Sequence, residues 1–179
     1  PKGVGALLRS RRMKVSPVML GGGQESGLRS GTENVVGITG GSIAFAEAQK
    51  NYKSVSEKVS VIRDEGIEDL KNTLETVVLN GAEGKDRVAN NINISLPGID
   101  TEYLTVWLDS KGFAVSTKSA CAGAGGGESS VVKELANDSE LAASTLRITL
   151  GPETTVQNLK ELAKHIKSHL KTMSQLTQK

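Results

Sequence analysis

An α/β fold, taking the α+β form of a small sandwich in its carboxy-terminal part, is what the sequence predicts, and three observations carry the prediction. Apolar residues recur at helical spacing at Val59, Ile62, Ile67, Leu70, Leu74 and Val77, and again at Val156, Leu159, Leu162, Ile166, Leu170 and Met173. Between these stripes lie two runs of strand character, residues 91–96 and 145–150. Pro97-Gly98, Lys111-Gly112 and Gly151 punctuate the runs as turns do. A chain of 179 residues suffices for one domain with a sizeable core, or for a small domain joined to a piece of another.

Taken in order, Pro1-Lys2-Gly3-Val4-Gly5-Ala6-Leu7-Leu8 reads as a buried strand flanked by glycines. A domain rarely begins inside its own sheet, so the chain is expected to be a fragment. Gly21-Gly22-Gly23-Gln24-Glu25-Ser26-Gly27-Leu28-Arg29-Ser30-Gly31-Thr32 follows as a glycine-rich loop. Arg29, Ser30 and Thr32 bring a guanidinium and hydroxyls together ahead of a helix expected near Glu33, a setting that suits phosphate. A tight turn capped by Thr32 is the plainer alternative. The helical pattern then runs from about residue 34. Its first part is rich in small residues, Gly37, Gly40 and Gly41 among them, and its second carries the first apolar stripe, a core face.

A strand is expected over residues 77–80, a turn at 81–84, and the alternating strand at 91–96. Asp100 or Thr101 can cap a helix carrying Leu104, Trp107 and Leu108. A strand at residues 113–115, a helix at 130–136, a break at 137–139 and the strand at 145–150 follow, and Thr154 or Thr155 caps the last helix.

Composition removes several classes of function. Lysine and arginine total 22 against 20 aspartate and glutamate, and the one basic cluster, Arg9 to Lys14, is short and lacks aromatic residues, so no nucleic-acid partner is expected. No apolar run approaches the length of a membrane span. A single cysteine excludes an intrachain disulfide and points to a reducing compartment.

That cysteine, Cys121, stands among Ser, Thr, Lys and Gly rather than among large apolar residues. A nucleophile and a small buried hydrophobe are both open readings, and Lys118 nearby can favour the thiolate. Arg147 interrupts an apolar strand, so its guanidinium needs an anionic partner, either a carboxylate of the protein or one on a ligand. His165 and His169 have the spacing of a two-histidine metal site. No third ligand is evident and Lys164 and Lys167 flank them, so a solvated helix face and no metal are expected.

Several of these segments occur together in a recognisable order: Pro1-Lys2-Gly3-Val4-Gly5-Ala6-Leu7, Gly21-Gly22-Gly23-Gln24-Glu25, Arg29-Ser30-Gly31-Thr32, Asn91-Ile92-Asn93-Ile94-Ser95, Ser119-Ala120-Cys121 and Leu146-Arg147-Ile148-Thr149-Leu150-Gly151. In this the chain resembles, almost end to end, the carboxy-terminal part of the pyridoxal-phosphate cysteine desulfurases of iron–sulfur assembly, fold-type I enzymes of aminotransferase class V. The resemblance implies that residues 1–33 are a remnant of the large cofactor domain and its sheet, and residues 34–179 a connecting helix and the small domain. Cys121 would attack the sulfur of L-cysteine, giving L-alanine and a persulfide. Arg147 would grip the substrate carboxylate, and Thr32 would reach the pyridoxal phosphate of the neighbouring subunit in a homodimer.

The 147 − 121 = 26 positions between cysteine and arginine leave room for the long mobile loop of the branch that feeds scaffold proteins. A sulfur-acceptor or iron–sulfur scaffold protein is therefore the implied partner, in the cytoplasm or, in a eukaryote, the mitochondrial matrix. Thr117-Lys118-Ser119 departs from the family's usual Ser-Gly-Ser before Ala-Cys. The family's Schiff-base lysine, its ring-stacking histidine and the aspartate that pairs with the pyridinium nitrogen have no counterpart here, so this chain alone is expected to be inactive. Two other readings stay open: a non-catalytic sulfur-carrier or partner-binding module, and part of a selenocysteine lyase.

Overall fold

The computed structural model describes residues 2–117 and 127–177. The chain divides into two compact units, Pro1–Lys53 and Ser54–Lys179.

In the first unit the expected strand at residues 1–8 does not form, and Leu7 and Leu8 are exposed. A strand exists by its ladder, and among the described residues of this unit no second strand offers one, so no sheet remnant is formed there. The glycine-rich loop turns through the left-handed region at Glu25 (φ 51), Ser26 (φ 58) and Gly27 (φ 79). Helix α1 (Val35–Thr73) begins after it. Its cap is Asn34, whose Oδ1 accepts the Gly37 N–H at 3.0 Å, and not Thr32.

The second unit holds the remainder of α1, then β1 (Val78–Leu79), β2 (Asn91–Ser95), α2 (Thr101–Asp109), α3 (Ser130–Ala136), α4 (Ser139–Ala143), β3 (Thr145–Thr149) and α5 (Val156–Thr177). The strands form one antiparallel sheet in the order β1-β2-β3, with Ile92 opposite Ile148, Asn93 opposite Arg147 and Ile94 opposite Leu146. Side chains alternate across a sheet, so Ile92, Ile94, Leu146 and Ile148 share one face and Asn93, Ser95, Thr145 and Arg147 the other. The apolar face enters a core with Val59, Ile67 and Leu70 of α1, Leu104 and Leu108 of α2, and Leu159, Leu162 and Ile166 of α5. Each such side chain contributes about 1.5–3 kcal/mol by its burial. Gly66 of α1 lets α5 come close, because a Cβ there would lie 2.2 Å from Leu159 Cδ1.

Caps define the helix starts. Asp100 accepts the N–H groups of Glu102 (2.9 Å) and Tyr103 (3.2 Å) for α2. Thr155 and Asn158 bond reciprocally at the start of α5, at 2.9 and 3.2 Å. The expected break at 137–139 instead launches α4, because Asp138 accepts the N–H groups of Glu140 and Leu141 at 2.8 and 3.0 Å. The expected strand at 113–115 is replaced by one bridge, Ser116 opposite Arg147. Phe113 is otherwise engaged: after the left-handed Gly112 (φ 87) its N–H closes the end of α2 on the Leu108 carbonyl at 3.0 Å.

Helix α5 also corrects the reading of its histidines. His169 is 4% exposed, with its ring centroid 5.0 Å from that of Trp107 and 5.5 Å from that of Tyr103. His165 packs on Trp107 and Phe113. The pair forms the joint between α2 and α5 rather than a solvated face, and burial pushes the His169 imidazole below its ordinary value.

Candidate functional site

Arg147 lies mid-way along β3 on the polar face of the sheet. Its N–H donates to the Ser116 carbonyl at 2.7 Å and its carbonyl accepts from the Ser116 N–H at 3.0 Å. Its side chain is exposed, lines a cavity of about 330 Å³ with Asn80, Asn93, Ser129 and Leu135, and makes no ion pair among the described residues. A strand guanidinium without an internal carboxylate is a ready receptor for an external one.

The segment that carries Cys121 departs from this place and returns to it. At its start Thr117 Oγ1 donates to the Thr145 carbonyl at 2.8 Å and meets Thr101 Oγ1 at 2.7 Å. At its return the Ser129 N–H donates to the Ala142 carbonyl at 2.8 Å, and Ser129 Oγ caps α3 on Val132 at 3.3 Å. Glu128 pairs with Lys133 at 2.5 Å, and that hydrogen bond holds its carboxyl below the usual range. Cys121 itself and Lys118 lie outside the described residues.

Two arginines that the apolar pattern does not reveal stand behind this cavity, and Arg87 lines it. Arg63 is 1% exposed and donates to the carbonyls of Gly84 (2.9 Å), Arg87 (2.9 Å) and Val88 (3.0 Å), with Asp64 balancing its charge at 2.7 Å. Arg87 donates to the carbonyls of Ala82 and Asn80 and to Asn91. Burial, and then the Arg63 charge, lower its pKa from the ordinary arginine value. Together they fix the turn leading into β2. A larger cleft of about 810 Å³ lies between α1 and residues 84–90 and contains none of the candidate residues.

Thr32 belongs to the first unit, where it is exposed and makes no hydrogen bond among the described residues. The loop before it is held by Gly31 N–H on Gln24 Oε1 (3.3 Å) and Ser30 Oγ on the Leu20 carbonyl (3.1 Å), while the Arg29 guanidinium turns onto the Ser30 carbonyl. No group of three His, Cys, Asp or Glu among the described residues is placed to hold a metal ion.

The sequence profile described as aminotransferase class-V matches residues 1–162. A cysteine desulfurase IscS of Dictyoglomus turgidum is 36% identical over 177 residues, covering 97% of this chain and 45% of that protein. Another of Clostridium botulinum is 38% identical over 160 residues, covering 89% and 40%. Among solved structures, a NifS-like protein superposes with a TM-score of 0.75 at 26% identity, over 90% of this chain and 40% of its own. A NifS-like protein from Rickettsia africae gives 0.72 at 26% identity, over 87% and 40%. The chain thus spans less than half the length of these relatives.

Proposed function

From the premise that this chain belongs to the aminotransferase class-V family, we propose that it is the carboxy-terminal part of a cysteine desulfurase, which converts L-cysteine to L-alanine and leaves the sulfur as a persulfide on Cys121. The observation that carries this reading is the position of Arg147. A guanidinium with no ion pair among the described residues stands beside Ser116 and Thr117, which precede Cys121 in the chain, and in one cavity with Ser129, which follows it.

Arg147 binds the substrate carboxylate through its fork and so fixes which way the substrate thiol faces. The Cys121 thiolate forms a bond to the substrate sulfur as the carbon–sulfur bond breaks, and the carbon skeleton takes up a proton to leave as alanine. Pyridoxal phosphate, the cofactor of this family, supplies the electron sink for that bond cleavage when bound. The residues present fit it at one point: Thr32 offers an exposed hydroxyl, free of internal partners among the described residues, on a glycine-rich loop where a phosphate can approach. The working unit in this reading is a homodimer, with Thr32 serving the neighbouring subunit's site, and the persulfide sulfur passes to an acceptor or iron–sulfur scaffold protein.

In the complete protein, Cys121→Ala is expected to abolish the persulfide seen by intact-mass spectrometry while leaving cofactor absorbance unchanged; a persulfide that survives the change overturns the assignment. Arg147→Ala is expected to raise KM for L-cysteine roughly 10–100-fold with cofactor binding unaltered, and an unchanged KM would count against it. Alanine release compared between cysteine and selenocysteine tests the lyase alternative.

A further inference from the structure

The sheet face that carries Arg147 also holds a polar network which the reaction above leaves unused. Ser95 Oγ donates to the Leu141 carbonyl at 2.7 Å. A carbonyl only accepts, so the Ser95 oxygen meets Asn80 as an acceptor, and Asn80 turns Nδ2 toward it at 2.8 Å. The second N–H of the same amide donates to Asn93 Oδ1 at 2.7 Å. One backbone carbonyl thereby sets the direction of three side chains. Asn93 uses Oδ1 on Asn80 and keeps Nδ2 on the other side of its amide, where it has no hydrogen-bond partner among the described residues.

Asn93 and Arg147 stand directly opposite each other across β2 and β3. The backbone of Arg147 bonds outward to Ser116 at 2.7 and 3.0 Å, and the Asn93 carbonyl bonds outward to Asn80 at 2.9 Å. They are therefore a non-hydrogen-bonded pair, in which side chains share a face with Cβ atoms about 4.5–5.5 Å apart. Both line the 330 Å³ cavity, and Asp86, which lines it too, makes no ion pair with Arg147. An amide N–H and a guanidinium cannot satisfy one another, since both only donate. Side by side they suit an anion with several lone pairs, and a carboxylate offers about four.

We propose that Asn93 Nδ2 is a second donor to the substrate carboxylate gripped by Arg147, oriented for that task by Asn80 and Ser95. The assignment rests on the desulfurase reading. Steady-state kinetics of the complete protein with L-cysteine tests it. Asn93→Ala is expected to raise KM about 10-fold and to change kcat by less than about 2-fold, the pattern of lost ground-state binding. Asn93→Asp keeps an acceptor for Asn80 but puts an anion beside Arg147, and is expected to raise KM about 100-fold.

A purely structural Asn93 leaves KM unmoved in a folded Ala variant, and a raised KM in the Asp variant then reports only the anion beside Arg147. An Asp variant with KM at or below that of the Ala variant, or an Ala variant with unchanged KM, overturns the proposal. The dissociation constant of the product L-alanine is expected to follow the same order as KM. Failure of the unsubstituted protein to release alanine refutes the desulfurase reading and this assignment with it; release with KM unmoved in both variants refutes this assignment alone.

Discussion

Thr117→Val is expected to loosen the start of the Cys121 segment more than any other single-atom change on the polar face. Thr117 Oγ1 spends its proton on the Thr145 carbonyl at 2.8 Å, so its 2.7 Å contact with Thr101 runs with Thr101 as donor. Thr101 is 1% exposed. Thr101→Val removes one hydrogen bond and leaves no stranded donor, a loss of about 1 kcal/mol. Thr117→Val removes two and strands the Thr101 hydroxyl in a site closed to water, a loss of about 2–3 kcal/mol.

Hydrogen exchange at the Ser116 and Arg147 amides, which bond to each other's carbonyls, reads this local stability. At about 1.4 kcal/mol per tenfold, protection should fall about 5-fold in Thr101→Val and about 30–100-fold in Thr117→Val. The double variant should exchange no faster than Thr117→Val, because no donor is left stranded. Faster exchange in Thr101→Val than in Thr117→Val, or additive effects in the double variant, would refute the donor order and the anchoring role drawn from it.

Two further expectations concern the packing behind the site. Burial depresses the His169 imidazole below its ordinary 6.5, so the unfolded chain binds more protons below that pH. The contribution is complete above about pH 6.5 and is lost as pH falls through the depressed value. The urea midpoint of the complete protein should accordingly drop between pH 7 and 5, and His169→Gln should flatten that drop; an equal drop in both proteins excludes His169 as its source. Gly66→Ala gains up to about 1 kcal/mol of helix propensity. It places a Cβ 2.2 Å from Leu159 Cδ1, an overpacking that costs about 1–3 kcal/mol. The expected net result is a lower urea midpoint, and a raised one would mean that Leu159 has room to move.

Most elements of the second unit were legible because their signals are local. The stripe from Val59 to Leu74, the alternation in residues 91–96 and the cap at Asp100 each lie within a few residues of what they specify. Arg63 escaped because a buried guanidinium breaks the apolar pattern and is stabilised by carbonyls more than twenty positions away. Lys164 and Lys167 beside His165 and His169 suggest a solvated face, yet Trp107, Tyr103 and Phe113 of the α2 region cover them.

The sequence by itself determined the helical and strand periods of the second unit and the family to which the chain belongs, and it marked Cys121, Arg147 and Thr32 as candidates. Only the tertiary structure decided that Arg147 stands opposite Asn93, that one carbonyl at Leu141 orients the amides of Asn80 and Asn93, and that Thr117 is fastened to Thr145. The physical reason is range. Periodicity and capping act over a few residues, whereas the direction of a hydrogen bond is set by whichever partner the fold brings near, and Leu141 lies 46 positions from Ser95.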